Sequence, residues 1–372
     1  MKELEEILKK ISQFAPDEKA ILATVVDVVG SGYRRPGARM LIDKEGYSIG
    51  TVSGGCLEAD VLERAQKVLL TGVPTIIEYD TTADGDSVFS LGMGCRGIIR
   101  ILLEPIEKES FLTRTFQFVY ERRFQQFIAT MISSSRAVIG GRLYYSAFYQ
   151  FDSENLPNDV ESLSKLISDS EKFFTQNKSA EIHTYYIGDD HFEVLFENIN
   201  PPLNLLLFGA GFDALPVVRF AKELGWRVTV IDHRAAFANK ERLSEADQII
   251  VSRAEDLPEG LFKDETAVAV VMTHNYERDR EILYRLLNSN FRYIGLLGPR
   301  KRTENLIQEL RVAERKFDDT KLNQIYAPIG LDIGSETPEE IALAIVAEIK
   351  TSLENRSGGF LRDRRGSIKN GS

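Results

Sequence analysis

Only two cysteines occur among the 372 residues, and each directly follows a glycine. In "VSGGCLEADV", residues 52–61, Cys56 comes after Gly54 and Gly55. Leu57, Val61, Ala65, Val68 and Leu69 then fall on one helical face, which predicts a helix over 57–70 with Cys56 at or just before its N-terminus. Backbone N–H groups at such an end favour an anion, a thiolate included. Glycines on the N-terminal side let a ligand approach the main chain. The same pattern also suits a small buried residue at a tight strand-to-helix turn, and the fragment alone leaves both uses open. Cys95 stands in a second glycine-rich loop, "SLGMGCRG". With no CxxC spacing, the pair gives neither a disulfide framework nor a zinc knuckle. A cytoplasmic protein with both thiols reduced is the expectation.

A different chemistry is offered by "LLLFGAGFDALPVV", where Gly209, Gly211 and Ala214 form a G-x-G-x-x-A pattern between an apolar strand and a helix. The first glycine permits the tight turn, the second allows a phosphate to come close, and the alanine lets helix and strand pack. Asp232 ends the next strand, about twenty residues on, where an acid would bind ribose hydroxyls. His274, in "THNYERD", follows the fourth strand and would stand at the carboxyl edge of the sheet, available as a base. These residues admit an NAD(P)-dependent oxidoreductase as one reading, although no second catalytic group accompanies His274. The four histidines, His183, His191, His233 and His274, show no metal-ligand spacing. In "GSGYRRPG", Arg34 and Arg35 offer anion contacts, or are solvated at a turn.

The elements that must position these residues divide at "NINPPLN", residues 198–204, where Pro201 and Pro202 stop regular structure. Residues 1–200 mix strands and helices and are read as an α+β domain. Within it, 152–180 is polar and serine-rich and reads as an exposed excursion with a short helix. Residues 201–372 alternate "NLLLF", "RVTVID", "QIIVS", "AVAVVMT" and "YIGLLG" with helices at 213–224, 277–289 and 300–315, the pattern of a Rossmann-like parallel sheet. A last helix opens at "TPEE" with Thr337 as N-cap, Pro338 at the first position and Glu340 closing a capping box. The glycine-rich basic end, with Arg362, Arg364 and Arg365, reads as a solvated tail or a docking element. A net charge of −10 argues against a general nucleic-acid binder, and no apolar run is long enough to span a bilayer.

Taken in order, "GSGYRRPGARMLID", "GTVSGGCLEADV", "LGMGCRG", "FGAG", "VTVIDHR", "MTHNYERD", "YIGLLGPRKR" and "PIGLDIGSETPEEIALAIVAEI" resemble the xanthine dehydrogenase accessory proteins of the XdhC/CoxI family. The likeness covers nearly the whole chain; "SGGCLE" and "PIGLDIG…TPEEIA" are its specific signatures. Phe212-Asp213 stands where the family more usually has His-Val, and Asn275-Tyr276 where it has Asp-His. The resemblance implies a non-catalytic chaperone that transiently binds the molybdenum cofactor (molybdopterin), protects it, supports its sulfuration and inserts it into a xanthine dehydrogenase-type molybdoenzyme of purine catabolism. A cysteine desulfurase as second partner, and a homodimer, go with it. Carried onto this sequence, the cofactor-binding positions are Gly32, Arg34, Arg35, Ser53, Gly54, Gly55, Cys56, Glu58, Cys95, Gly209, Gly211, Ala214, Asp232 and His274, with Cys56 as the metal ligand.

Overall fold

The computed structural model describes residues 1–80, 97–134, 138–146, 152–156, 160–176, 178–187, 190–264, 266–314, 319–322 and 324–365. The chain divides into two units, Met1–Pro201 and Pro202–Ser372. Cys95 and most of its loop lie outside the described residues, as does the end of the basic tail.

Unit 1 contains α1 (Lys2–Ser12), β1 (Lys19–Gly30), β2 (Arg39–Ile42), β3 (Ser48–Gly50), α2 (Glu58–Thr71), β4 (Thr75–Asp80), β5 (Gly97–Glu107), α3 (Phe111–Arg122), β6 (Gln126–Ser134), β7 (Arg142–Ser146), β8 (Asp152–Glu154), α4 (Val160–Phe174), β9 (Ala180–Ile187) and β10 (Asp190–Ile199). The strands form two antiparallel sheets, ordered β3-β2-β1-β5-β4 and β8-β7-β6-β10-β9. Strand alternation gives each sheet two faces. Ile21, Ala23 and Val25 of β1 turn toward Val61, Ala65 and Val68 of α2, while Val26 and Leu102 meet Ile132 and Leu195 of the other sheet. Charged bridges cross this apolar contact: Arg39 donates to both oxygens of Glu197, Arg100 joins Asp27 to Glu193, and Arg142 pairs with Glu104.

The stretch expected as an exposed excursion with a short helix does hold a helix, but one packed into the core. α4 places Leu166, Ser170 and Phe173 inward against β6 and β10, with Leu163, Ile167 and Phe174 partly covered. The serines dilute the mean hydropathy, but the apolar residues keep the three-and-four spacing of a packed helix.

Unit 2 contains β11 (Asn204–Phe208), α5 (Ala214–Glu223), β12 (Arg227–Asp232), β13 (Gln248–Val251), β14 (Ala267–Val271), α6 (Tyr276–Leu287), β15 (Tyr293–Leu296), α7 (Arg300–Glu314), α8 (Asp319–Leu322), β16 (Ile325–Tyr326) and α9 (Pro338–Leu353). The six strands are parallel, in the order β13-β12-β11-β14-β15-β16. Alternate residues of β11 serve two cores: Leu205 and Leu207 pack with α5 and α9, Leu206 and Phe208 with α6 and α7. Thr337, Pro338 and Glu340 open α9 with the full capping box. This is the Rossmann order, with its switch point between β11 and β14. Among the described residues no helix is long and apolar enough to cross a membrane.

Candidate functional site

The first locus is a pair of loops at one end of the β1 sheet. Behind Gly30, the "GSGYRRPG" loop places Gly32 against Val28; a Cβ on Gly32 would lie 2.5 Å from Val28 Cγ1. Tyr33, 67% exposed, lays its ring over Gly54, where a Cβ would meet ring atoms at 3.2 Å. The two glycine-rich loops are therefore in contact, and Tyr33 is the residue that joins them. Arg34 is ion-paired with Glu3 of α1, so its charge is partly spent inside the unit. Arg35 is exposed, and its carbonyl accepts from the Ala38 N–H.

The "SGGCLE" turn is organised by Glu58. Its carboxylate accepts from the Ser53 N–H at 2.9 Å, the Gly55 N–H at 3.0 Å, the Leu57 N–H at 3.2 Å and the Ser53 hydroxyl. Gly55 has φ +108, a backbone region that favours glycine, and the space where its side chain would stand is open. The turn leading into α2 thus already holds an internal anion, while the cap residue Leu57 makes no side-chain capping bond. Cys56 is a free thiol on the outside of this turn, exposed rather than packed, which removes the buried-turn alternative.

Burial alone would push the Glu58 carboxyl up. The Ser53 hydroxyl and the backbone N–H groups outweigh it and hold the group below its ordinary range. Glu58→Ala should accordingly cost about 1 kcal/mol, the net worth of hydrogen bonds lost from a partly exposed turn. A group whose pKa is lowered by folding adds stability above its unfolded value and loses it as the pH falls through the folded one. Urea melts of wild type and variant should therefore differ by a constant amount at neutral pH and converge in acid below the ordinary glutamate range. A gap that widened in acid would contradict this role.

The second locus is the carboxyl edge of the unit 2 sheet. Gly209 takes φ +114, and a Cβ on it would lie 2.4 Å from the Met272 carbonyl oxygen. Ala214 is fully buried at the start of α5. Asp232, almost fully buried, faces its own chain: Oδ2 accepts from the Ala210 N–H (2.9 Å) and Arg234 (2.7 Å), Oδ1 from the Arg234 N–H and Nε. Burial raises its pKa, but Arg234 and the two N–H groups win and hold it at about 2. His233 beside it is pushed down by burial and by the Arg278 guanidinium, whose Nη1 lies 2.9 Å from His233 Nδ1. The same Nδ1 lies 3.1 Å from Asp232 Oδ1, so the ring sits between the guanidinium and the carboxylate. His274, at φ +59 and 58% exposed, sets Nε2 2.7 Å from Oδ2 of Asp213. A cavity of about 400 Å³ opens between the ends of β12, β13 and β14, floored by Phe208, Ile231 and Ile282 and rimmed by Asp232, His233 and Arg278.

Unit 1 thus brings together Gly32, Arg34, Arg35, Ser53, Gly54, Gly55, Cys56 and Glu58; unit 2 brings together Gly209, Gly211, Ala214, Asp232 and His274. Among the described residues no group of three or more His, Cys, Asp or Glu side chains is arranged to hold a metal ion. Sequence reasoning missed Tyr33, Asp213, Arg234 and Arg278. Arg234 had a local signal, two residues after the strand-end acid, whereas Asp213 and His274 are 61 positions apart.

An antiparallel two-sheet unit carrying an exposed cysteine on a glycine turn, followed by a Rossmann-type unit, defines a two-unit α/β protein with a thiol-bearing loop. The chain belongs to the XdhC and CoxI family: residues 14–80 match the XdhC and CoxI family model and residues 205–349 the XdhC Rossmann domain. It is 35% identical over 335 residues to a probable xanthine dehydrogenase subunit from Bacillus subtilis (strain 168), covering 89% of this chain and 92% of that protein. It is 22% identical over 330 residues to the molybdenum cofactor insertion chaperone PaoD of Escherichia coli (strain K12), covering 89% and 82%. The crystal structure of a xanthine dehydrogenase from Bacillus halodurans superposes with a TM-score of 0.76 at 30% identity, over 96% of this chain and 97% of that one.

Proposed function

We propose that this chain is an accessory protein for a xanthine dehydrogenase-type molybdoenzyme, and that it carries the molybdenum cofactor as cargo and inserts it into that enzyme. One observation carries the reading: Cys56 is an exposed free thiol on a turn held from below by Glu58, in a chain similar over most of its length to a molybdenum cofactor insertion chaperone. The turn fits such cargo. A thiolate suits soft, sulfur-rich metal centres, and the open space at Gly55 leaves main chain accessible beside it. Tyr33 offers an exposed aromatic face and Arg35 a cation on the neighbouring loop. In this reading Cys56 holds or orients the metal end, Ser53, Gly54, Gly55 and Glu58 set the pose of the thiol, and Cys95 assists. Protection of the cargo, support of its sulfuration by a cysteine desulfurase, a cytoplasmic homodimer and a place in purine catabolism belong to the same proposal. The oxidoreductase reading is weaker, because Asp232 is engaged by Ala210 and Arg234, and His274 by Asp213.

Cys56→Ala should fold normally, with a stability change within about 0.5 kcal/mol for an exposed position. Purified from cells making the cofactor, it should retain at least about tenfold less molybdenum and pterin, a loss of about 1.4 kcal/mol in binding. Metal analysis and the fluorescence of the oxidised pterin read both ends of the cargo. Cys95→Ala should have the smaller effect. Undiminished retention by a folded Cys56→Ala would reject the assignment, and failure to recover any part of a molybdoenzyme with the wild-type chain would count against the partner.

A further inference from the structure

The glycine turn of unit 2 keeps the backbone of a dinucleotide-binding turn but not its electrostatics. A diphosphate settles on such a turn because the second glycine leaves room, because N–H groups at the helix end are positive, and because a nearby acid receives the ribose. Here the room above Gly211 is taken: Oδ1 of Asp213 stands 2.6 Å from where a Cβ on Gly211 would be. Asp213 is the residue just before α5, yet its side chain makes no capping bond to the helix. Its other oxygen goes to His274 Nε2 at 2.7 Å, and the carboxylate is only 18% exposed. The acid that would receive a ribose is equally committed, since both Asp232 oxygens accept from Arg234 and one also from Ala210.

We propose that Asp213 is a specificity residue: held by His274, its carboxylate occupies the phosphate position of the glycine turn and excludes dinucleotides and other diphosphates from this Rossmann unit. A second anion brought to contact distance of a partly buried carboxylate is repelled, and screening by water is weak there. His274 explains why the carboxylate does not swing away. It adopts φ +59, which a non-glycine residue rarely takes, and this pose sets its ring beside Asp213. The inference does not depend on what unit 1 carries. It stands or falls on how the turn treats phosphate.

The test compares adenosine and ADP on the full chain by calorimetry, so that the base and ribose are constant and only the phosphates differ. On the wild type, ADP should bind no more tightly than adenosine. Asp213→Asn, which keeps the shape and removes the charge, and Asp213→Ser, which also opens the space, should strengthen ADP at least about tenfold while leaving adenosine within about twofold. His274→Ala keeps the negative charge but releases the carboxylate to swing aside, and should give a gain for ADP smaller than that of Asp213→Asn. Circular dichroism establishes that each variant is folded. Wild-type chain binding ADP tenfold or more tightly than adenosine would overturn the proposal without reference to any variant. Folded Asp213→Asn and Asp213→Ser with no gain for ADP, including the case in which neither ligand binds at all, would overturn it as well. None of these outcomes bears on cargo retention at Cys56, so the two proposals fail separately.

Discussion

Gly209→Ala should destabilise unit 2 by about 3–5 kcal/mol. About 1–2 kcal/mol comes from forcing an L side chain into a positive-φ backbone, and the remainder from overpacking. The added Cβ would lie 2.4 Å from the Met272 oxygen and 2.7 Å from its carbonyl carbon, and neither atom can rotate aside because both belong to the main chain leaving β14. Two strand ends would have to part, at the place where the Gly209 N–H donates to Ile231 and the Met272 N–H to Phe208. Thermal melts should show a lowered transition for unit 2 with the transition of unit 1 little changed. A loss below about 1 kcal/mol would mean that the turn relaxes in a way its contacts do not suggest.

Asp232→Ala should cost about 3 kcal/mol at neutral pH. The change orphans a buried N–H on Ala210 and frees the Arg234 guanidinium from its forked contact. Part of this loss titrates. The group falls from an ordinary 3.8 to about 2 on folding, worth about 2 kcal/mol. Because folding lowers the pKa, the contribution is complete above the unfolded value and disappears as the pH drops through the folded one. The difference in unfolding free energy between wild type and variant should be flat from about pH 5 to 8 and shrink below about pH 4. A difference that grew in acid would show that Asp232 is not the anion of this network.

The parallel sheet was legible because β11, β14 and β15 are short, nearly continuous apolar runs buried along their length, as strands covered on both faces must be. α2 and the cap of α9 were legible because periodicity and capping are local. β16 escaped notice because two residues, Ile325 and Tyr326, carry no period. A helix within 152–180 was expected, but its burial was not, because its serines lowered the mean hydropathy without breaking the buried spacing of Leu166, Ser170 and Phe173. At the candidate sites the residue types were readable and their allegiances were not. That the Glu58 carboxylate would fold back onto the N–H groups of Ser53 and Gly55 depends on the backbone path of the turn, which no local pattern gives. That Asp232 would turn back to Ala210, or that Asp213 would find His274, depends on which strand ends the fold brings side by side.

The arginine bridges between the two sheets of unit 1 bear on how this protein can change over generations. Arg39 with Glu197, and Arg142 with Glu104, join residues remote in sequence that are acceptable only as pairs, since either partner alone is a charge shut between sheets. A lineage could exchange Val26 or Leu195 for a similar apolar residue in one step. To retire a bridge it must first pass through a chain carrying one stranded charge, at a cost of about 3–5 kcal/mol. That is a large part of the 5–15 kcal/mol that holds a typical domain folded. These positions are therefore expected to vary together or not at all, and the face between the sheets to be inherited as a block.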